Sequence, residues 1–249
     1  MKLFKRIAAL AAILLLPVMA SAEWERTLGA WDTRLPSKGS GTVSFWGNYY
    51  KSDLVTDKSA FLDMAYGISD KWSVYVSPSF CSIKPDGGGS VSGFSDTMLH
   101  TTYRFRDEAA DGFDLAVMGK LQVPTGDESK GLSTGGFEPG AKLLASRTFG
   151  PVIAVANLDL TAIPDADDGE KDFVAAAALE GVYPLNDKLS LNAGAFATGP
   201  RIDGGDTVLD LGLGSRYNLK GSMFVGGMFY KCMTESSAWT LQVAAGVEF

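Results

Sequence analysis

His100 is the only histidine in the 249 residues, and it limits what chemistry the chain can do. Metal sites and nucleophilic triads usually depend on imidazole, so a single copy leaves few arrangements. In DTMLHTTYRF, His100 alternates onto one face with Asp96 and Arg104, and no recognisable serine motif accompanies it. A Ser–His pair acting on lipid is therefore disfavoured, and the expectation is a hydrogen-bonding histidine on the wall of a passage. The acidic run PDADDGE (164–170) fails the calcium-loop spacing, because position 176 is Ala where that pattern needs a distal Glu. It reads as a solvated loop. These residues predict no catalytic, cofactor-binding or metal-binding site, and hence a protein that is not an enzyme. The remaining candidates are charges that recur on the same kind of face: Asp63, Asp96, Arg104, Asp114, Lys120, Lys142, Asp159, Glu180, Asp210, Arg216 and Glu248. Such a mixture suits either a watery wall where opposite charges set a field across a narrow pore, or a salt-bridged filling. The sequence leans toward the pore.

The elements that must position these charges are strands. In GFDLAVMGKLQV, Phe113, Leu115, Val117, Leu121 and Val123 oppose Asp114, Met118, Lys120 and Gln122. In PVIAVANLDLT, Val152, Ala154, Ala156, Leu158 and Leu160 oppose Asn157, Asp159 and Thr161. The closing stretch WTLQVAAGVEF places Trp239, Leu241, Val243, Ala245, Val247 and Phe249 opposite Thr240, Gln242, Gly246 and Glu248. A period of two is the signature of a strand with two different solvents on its faces. From Ser40 onward about 12 such segments follow: 40–52, 58–69, 71–83, 93–105, 112–124, 135–147, 151–162, 171–182, 188–199, 206–217, 221–232 and 236–249. The Ala-rich segment 171–182 alternates weakly, and GSMFVGGMFYKC (221–232) does not choose a face.

The junctions sort by parity. Those at Ser69-Asp70, Asp107 to Asp111, Gly150, Asn186-Asp187 and Lys220 are mostly tight, whereas KPDGGGSVS, TGDESKGLST, PDADDGE and TGPRIDGG are longer. Short turns on one side and long loops on the other are the pattern of an outer-membrane barrel with periplasmic termini. A cation facing lipid near the midplane would cost about 2–4 kcal/mol, which sends the polar faces to the lumen. Trp72, Phe80, Tyr103, Phe105, Phe113, Tyr183, Tyr217, Trp239 and Phe249 fall near strand ends, where aromatic rings suit membrane interfaces. The predicted fold is all-β, a single transmembrane antiparallel barrel of about 12 strands.

The N-terminus supports that placement. Lys2, Lys5 and Arg6 precede an apolar stretch, Ile7 to Met19, and Ala20-Ser21-Ala22 offers a cleavage site, so 1–22 reads as a signal peptide. Residues 23–39 are too polar to span; they lie in the periplasm or fill the lumen as a plug, and Trp24, Trp31 and Leu35 favour the plug. The barrel then occupies 40–249. A net charge of −7, more acidic once the signal cations are removed, argues against nucleic-acid binding. Asp53, Asp57, Asp86, Asp127, Glu128, Asp203 and Asp206 join the acidic loop in making the external rim negative. Cys81 and Cys232 lie on strands that are not neighbours, and a bridge would require them to meet across the mouth.

LQVPTGD (121–127), followed by GLSTGGFEPGAKLLASRTFGP (131–151), resembles the MetA-pathway of phenol degradation family of outer-membrane proteins; the opening around Trp31, Arg34-Leu35-Pro36 and Gly39 is compatible with it. The resemblance implies a signal-bearing barrel that moves small, often aromatic or apolar molecules across the outer membrane. From the residues alone, Pro124 ends a strand and Thr125-Gly126-Asp127 opens a loop. The expected function is passive passage of small molecules through a bacterial outer-membrane channel, with no cofactor. The alternative is a non-transporting structural or adhesive barrel. Expected partners are outer-membrane lipid and lipopolysaccharide, the barrel assembly machinery reading Phe249, and the small-molecule solute.

Overall fold

A computed structural model describes residues 26–164, 166–220 and 222–249. The signal segment 1–22 and Trp24 lie outside the described residues. Among those described, the strands are β1 (Gly41–Lys51), β2 (Val55–Ser69), β3 (Trp72–Ser77), β4 (Ser79–Pro85), β5 (Val91–Phe94), β6 (Thr97–Arg106), β7 (Asp114–Val123), β8 (Glu138–Phe149), β9 (Val152–Ala162), β10 (Phe173–Pro184), β11 (Leu189–Thr198), β12 (Val208–Asn218), β13 (Met223–Cys232) and β14 (Trp239–Glu248). A one-turn helix, α1 (Glu108–Asp111), stands between β6 and β7.

Every pairing is antiparallel, and the sheet closes because β1 pairs with both β2 and β14. Phe249 completes the seam by exchanging two backbone hydrogen bonds with Gly41, at 2.8 and 2.9 Å. The 14 strand segments make 12 staves, since β3 and β4 continue one another along β2, and β5 and β6 continue one another in the next stave. The alternation of 71–83 and 93–105 predicts two unbroken strands, and the structure interrupts both. Pro78 has no N–H to give a ladder and divides β3 from β4. Ser95-Asp96 divides β5 from β6, where Asp96 turns to a neighbouring loop.

Closure sorts the side chains. Phe45, Val117, Leu143, Leu158, Leu179, Leu211, Leu213, Leu241 and Val243 are large, apolar and exposed on the outside. Asp114, Asn157, Glu180, Asn192, Arg216 and Glu248 are buried on the inside. An apolar outer band around a polar interior is the arrangement lipid demands, and the chain is an outer-membrane barrel. Trp72, Tyr103, Phe105, Phe113, Phe149, Tyr183 and Tyr217 are exposed around the end that carries the tight turns and the seam. That end faces the periplasm. Gly150 takes φ +58° in one of those turns, a conformation that suits glycine.

The segment 221–232 finds its face only in three dimensions. Phe224, Met228 and Cys232 turn inward and are buried, while Met223, Val225 and Phe229 face out and are exposed. Both sets are apolar, which is why alternation could not separate them. The inner set is covered by Leu28, which forms one cluster with Trp46, Phe224, Met228 and Ala244. Cys81 and Cys232 are buried free thiols.

Candidate functional site

The lumen is organised by the N-terminal segment, 26–40, which runs through it. Arg26 folds this segment on itself: its Nε and Nη2 donate to the Asp32 carboxylate at 2.8 and 2.7 Å, and its backbone N–H donates at 3.1 Å. Burial pushes the Asp32 carboxyl up, but the Arg26 guanidinium beside it and the backbone N–H groups of Arg26 and Arg34 outweigh that, leaving it below the ordinary carboxylate value. Within the loop so closed, the Thr27 hydroxyl donates to the Ala30 carbonyl at 2.7 Å.

This turn aims three consecutive N–H groups at Glu180. Leu28, Gly29 and Ala30 donate to its carboxylate at 2.9, 2.8 and 2.7 Å, and Asn192 Nδ2 adds a fourth bond at 2.7 Å. Hydrogen bonds to a charged acceptor are worth more than neutral ones, so a fully buried carboxylate is sustained here by donors rather than by a cation. Trp31 and Asn157 then exchange two bonds, Trp31 N–H to Oδ1 at 2.7 Å and Nδ2 to the Trp31 carbonyl at 2.9 Å. Thr33 lies 2.6 Å from the Ser146 hydroxyl, which donates to Asp114 at 3.0 Å. At its far end the segment lies against β2, with Gly39 N–H on the Gly67 carbonyl at 2.9 Å.

Of the predicted charges, Glu180 and Asp114 receive this segment directly. Lys120 and Lys142 converge on Asp159 at 2.6 and 3.2 Å, and the Lys142 ammonium stands 5.5 Å from the centre of the Trp31 ring. His100 stacks against Trp31 at 4.9 Å, with Nδ1 3.3 Å from the Met118 sulfur. Arg104 is at the periplasmic end, 3.1 Å from Asp107 and 3.9 Å from Asp114. Arg216 lies over the Phe224 ring at 3.9 Å and donates to Asn218 at 3.1 Å. Asp63 and Asp210 are half-buried on the inner faces of β2 and β12. Asp96 sits in the break between β5 and β6, where it accepts from the Gly126 and Thr134 N–H groups at 3.1 and 3.0 Å and from Gln122 Nε2 at 3.0 Å. It fastens the loop after β7 to the wall.

The sequence left Asn157, Asn192 and Ser146 unranked among candidates, although each is a polar residue on an inward face. Their importance depends on what crosses the lumen, which alternation does not report. Arg201 was likewise missed: it binds Glu138 at 2.7 Å and Glu170 at 3.0 Å and ties two external loops to the start of β8.

The segment divides the interior space. A cavity of about 210 Å³ is lined by Leu28 to Trp31 from the segment and by Trp46, Phe61, Asp63, Met98 and His100 from the wall. A second, of about 310 Å³, lies toward the external loops and shares Phe61 with the first. A third, of about 420 Å³, lies at the periplasmic turns and is reached by Arg26, Arg34 and Arg216. Among the described residues, no cluster of three or more His, Cys, Asp or Glu side chains is arranged to hold a metal.

Neither a family model nor a curated protein sequence matches the chain. Solved structures do. The fold is similar to that of an outer membrane channel from Pseudomonas putida F1, with a TM-score of 0.72 and 15% identity over 90% of this chain and 100% of that one. It is also similar to the KdgM porin, solved in complex with disordered oligogalacturonate, at TM-score 0.55, with 8% identity over 83% of this chain and 99% of the porin. The NanC porin gives the same score at 11% identity. At such identities the likeness is one of fold. This chain is a twelve-stranded barrel of the bacterial outer membrane, with the architecture found in outer-membrane channels and porins.

Proposed function

We propose that the chain is a passive outer-membrane channel for small molecules, apolar and aromatic ones among them, and that it does no covalent chemistry. The observation that carries this reading is the chain of lumen spaces. The outer cavity and the aromatic-lined central one share Phe61, and the segment from Arg26 to Trp31 stands between the central cavity and the periplasmic one. Residues 23–39 act as the plug of this passage. Asp63, Arg104, Lys120, Lys142, Asp159, Asp210 and Arg216 form its charged wall with His100 as a polar member, and Glu180 and Asp114 hold the plug. Asp96 shapes the mouth by fastening its loop.

The resemblance carried by LQVPTGD and the following stretch supports small aromatic or apolar solutes, and so do Trp31, Trp46 and Phe61 around the central cavity. Lipopolysaccharide is expected at the acidic external loops through bridging divalent cations, and the assembly machinery against the terminal strand, so loss of Phe249 impairs insertion more than export.

Purified protein in planar bilayers and in liposomes tests the proposal. Conductance together with uptake of small apolar or aromatic solutes is the expected result. Absence of both conductance and uptake, in the presence of a folded barrel, leaves a structural or adhesive barrel instead.

A further inference from the structure

The central cavity contains one carboxylate and several rings. Asp63 lines it from β2, beside Phe61 on the same face of that strand. Cross-strand pairing sets Ser44 opposite Asp63 and Trp46 opposite Phe61, and sets Met98 opposite Ser77 on the next staves. Trp31 closes the cavity from the N-terminal segment. No Lys or Arg lines the space, and among the described residues no basic side chain forms an ion pair with Asp63. The lumen lysines, Lys120 and Lys142, are both committed to Asp159.

An ionised carboxylate drawn away from water is costly unless a counter-charge meets it. Elsewhere in this lumen that requirement is met internally, by two lysines at Asp159 and by four N–H donors at Glu180. At Asp63 the protein supplies no cation, and instead surrounds the site with indole and phenyl rings whose faces attract one. We propose that this cavity binds a small organic cation, an ammonium group carried on an aromatic or apolar body, with Asp63 as its counter-ion, Trp46 and Phe61 as its ring walls, and Trp31, whose ring already meets His100 and Lys142, closing the space.

Its volume lies below the roughly 300–1,000 Å³ of pockets for drug-sized ligands, so the ligand is of single-ring size. The approach agrees in sign. The outer cavity shares Phe61 and is lined by Asp57, six residues before Asp63 on the same face of β2, so an entering cation meets one carboxylate before the other. An anion of equal size is repelled by both, and a neutral ring leaves Asp63 without its partner.

The site deepens the channel reading and rests on it only for how the ligand arrives, so binding and uptake are measured separately. Three single-ring probes, benzylammonium, its neutral isostere benzyl alcohol and the anion benzoate, are titrated into the purified full-length barrel while tryptophan fluorescence and heat are followed. Benzylammonium is expected to bind at least ~10-fold more tightly than benzyl alcohol, a margin of one decade in Kd, and benzoate not to bind measurably. Asp63→Asn is expected to erase the difference between the amine and the alcohol, and Asp63→Glu to retain part of it. Equal binding of the amine and the alcohol by the unaltered protein overturns the proposal, as does an undiminished preference in a folded Asp63→Asn variant. Should that variant not fold, the selectivity of the unaltered protein decides alone. Liposome uptake of the same probes separates the two readings. Selective binding without uptake leaves the site standing and removes the channel, and uptake without amine-selective binding does the reverse.

Discussion

The wall made by β7 to β11 and the wall made by β1, β2, β13 and β14 hold the same N-terminal segment by different chemistry. The first offers acceptors and amides: Asp114, Ser146, Asn157, Glu180 and Asn192, each from a different strand, each bonded to a named atom of residues 26–33. The second offers mainly surface, Trp46, Phe224, Met228 and Ala244 around Leu28, with one long bond from Tyr230 to the Leu28 carbonyl at 3.4 Å and backbone bonds to β2 only farther along, at Gly39 and Ser40. Directional bonds fix where the segment sits, because a donor displaced by an ångström loses its partner. Apolar packing contributes energy without direction, about 2 kcal/mol for a buried leucine, and tolerates the empty space that Asp63 and Phe61 share with it. The polar wall positions the segment, and the apolar wall leaves open space beside it.

Removing the segment tests the comparison most severely. Deletion of residues 26–39 is expected to raise single-channel conductance several-fold, and an unchanged conductance in planar bilayers contradicts the plug. Glu180→Ala comes next. It leaves three backbone donors and one amide without an acceptor, at about 1–3 kcal/mol for each buried group left unsatisfied. Frequent opening events in bilayers, and faster proteolysis near Leu28, are the expected outcome. Met228→Ala on the opposite wall costs about 2–4 kcal/mol of packing, which lowers the thermal midpoint while leaving the closed conductance near that of the unaltered protein. If Met228→Ala opens the channel as much as Glu180→Ala, the division of labour between the walls is wrong.

A smaller effect is expected at Gly67. A Cβ there would stand 2.1 Å from the Ser37 carbonyl oxygen and 2.4 Å from that of Pro36, both backbone atoms. Gly67→Ala therefore displaces the base of the segment while leaving Glu180 engaged, and partial-conductance states are its expected signature. The smallest effect follows pH. Because the Asp32 carboxyl sits below its ordinary value in the folded state, its bond to Arg26 stabilises the segment fully above that ordinary value. The stabilisation is lost as pH falls through the lowered pKa. Loss of this bond is then expected to raise conductance below about pH 4, the ordinary carboxylate range, and Asp32→Asn should abolish that component of the rise.

Much of the barrel was legible because lipid and water impose opposite requirements on alternate residues. The faces of β7, β9 and β14 follow the alternation residue by residue, and the parity of the loops reports which end carries the tight turns. The reading faltered where that contrast was weak. The inner face of β13 is apolar because the N-terminal segment covers it through Leu28, so both faces of GSMFVGGMFYKC look alike. The Ala-rich β10 alternates least in polarity, yet it carries Glu180, the acceptor on which the segment turns. Asp96 keeps its inward place and lines the outer cavity, but its bonds to Gly126 and Thr134 of the loop after β7 are not written in the alternation.

By itself the sequence determined a strand-built wall, its approximate stave number and its two solvents, because each is written into neighbours along one chain. It also carried the inward charges, since a charge facing lipid is too costly to be misplaced. Only the tertiary structure decided which of those charges meet. The approach of Leu28, Gly29 and Ala30 to Glu180 spans about 150 residues of chain, and Lys120, Lys142 and Asp159 come from three separate strands. Closure of the barrel brings such positions across a common interior, and no local periodicity encodes a distance through that space.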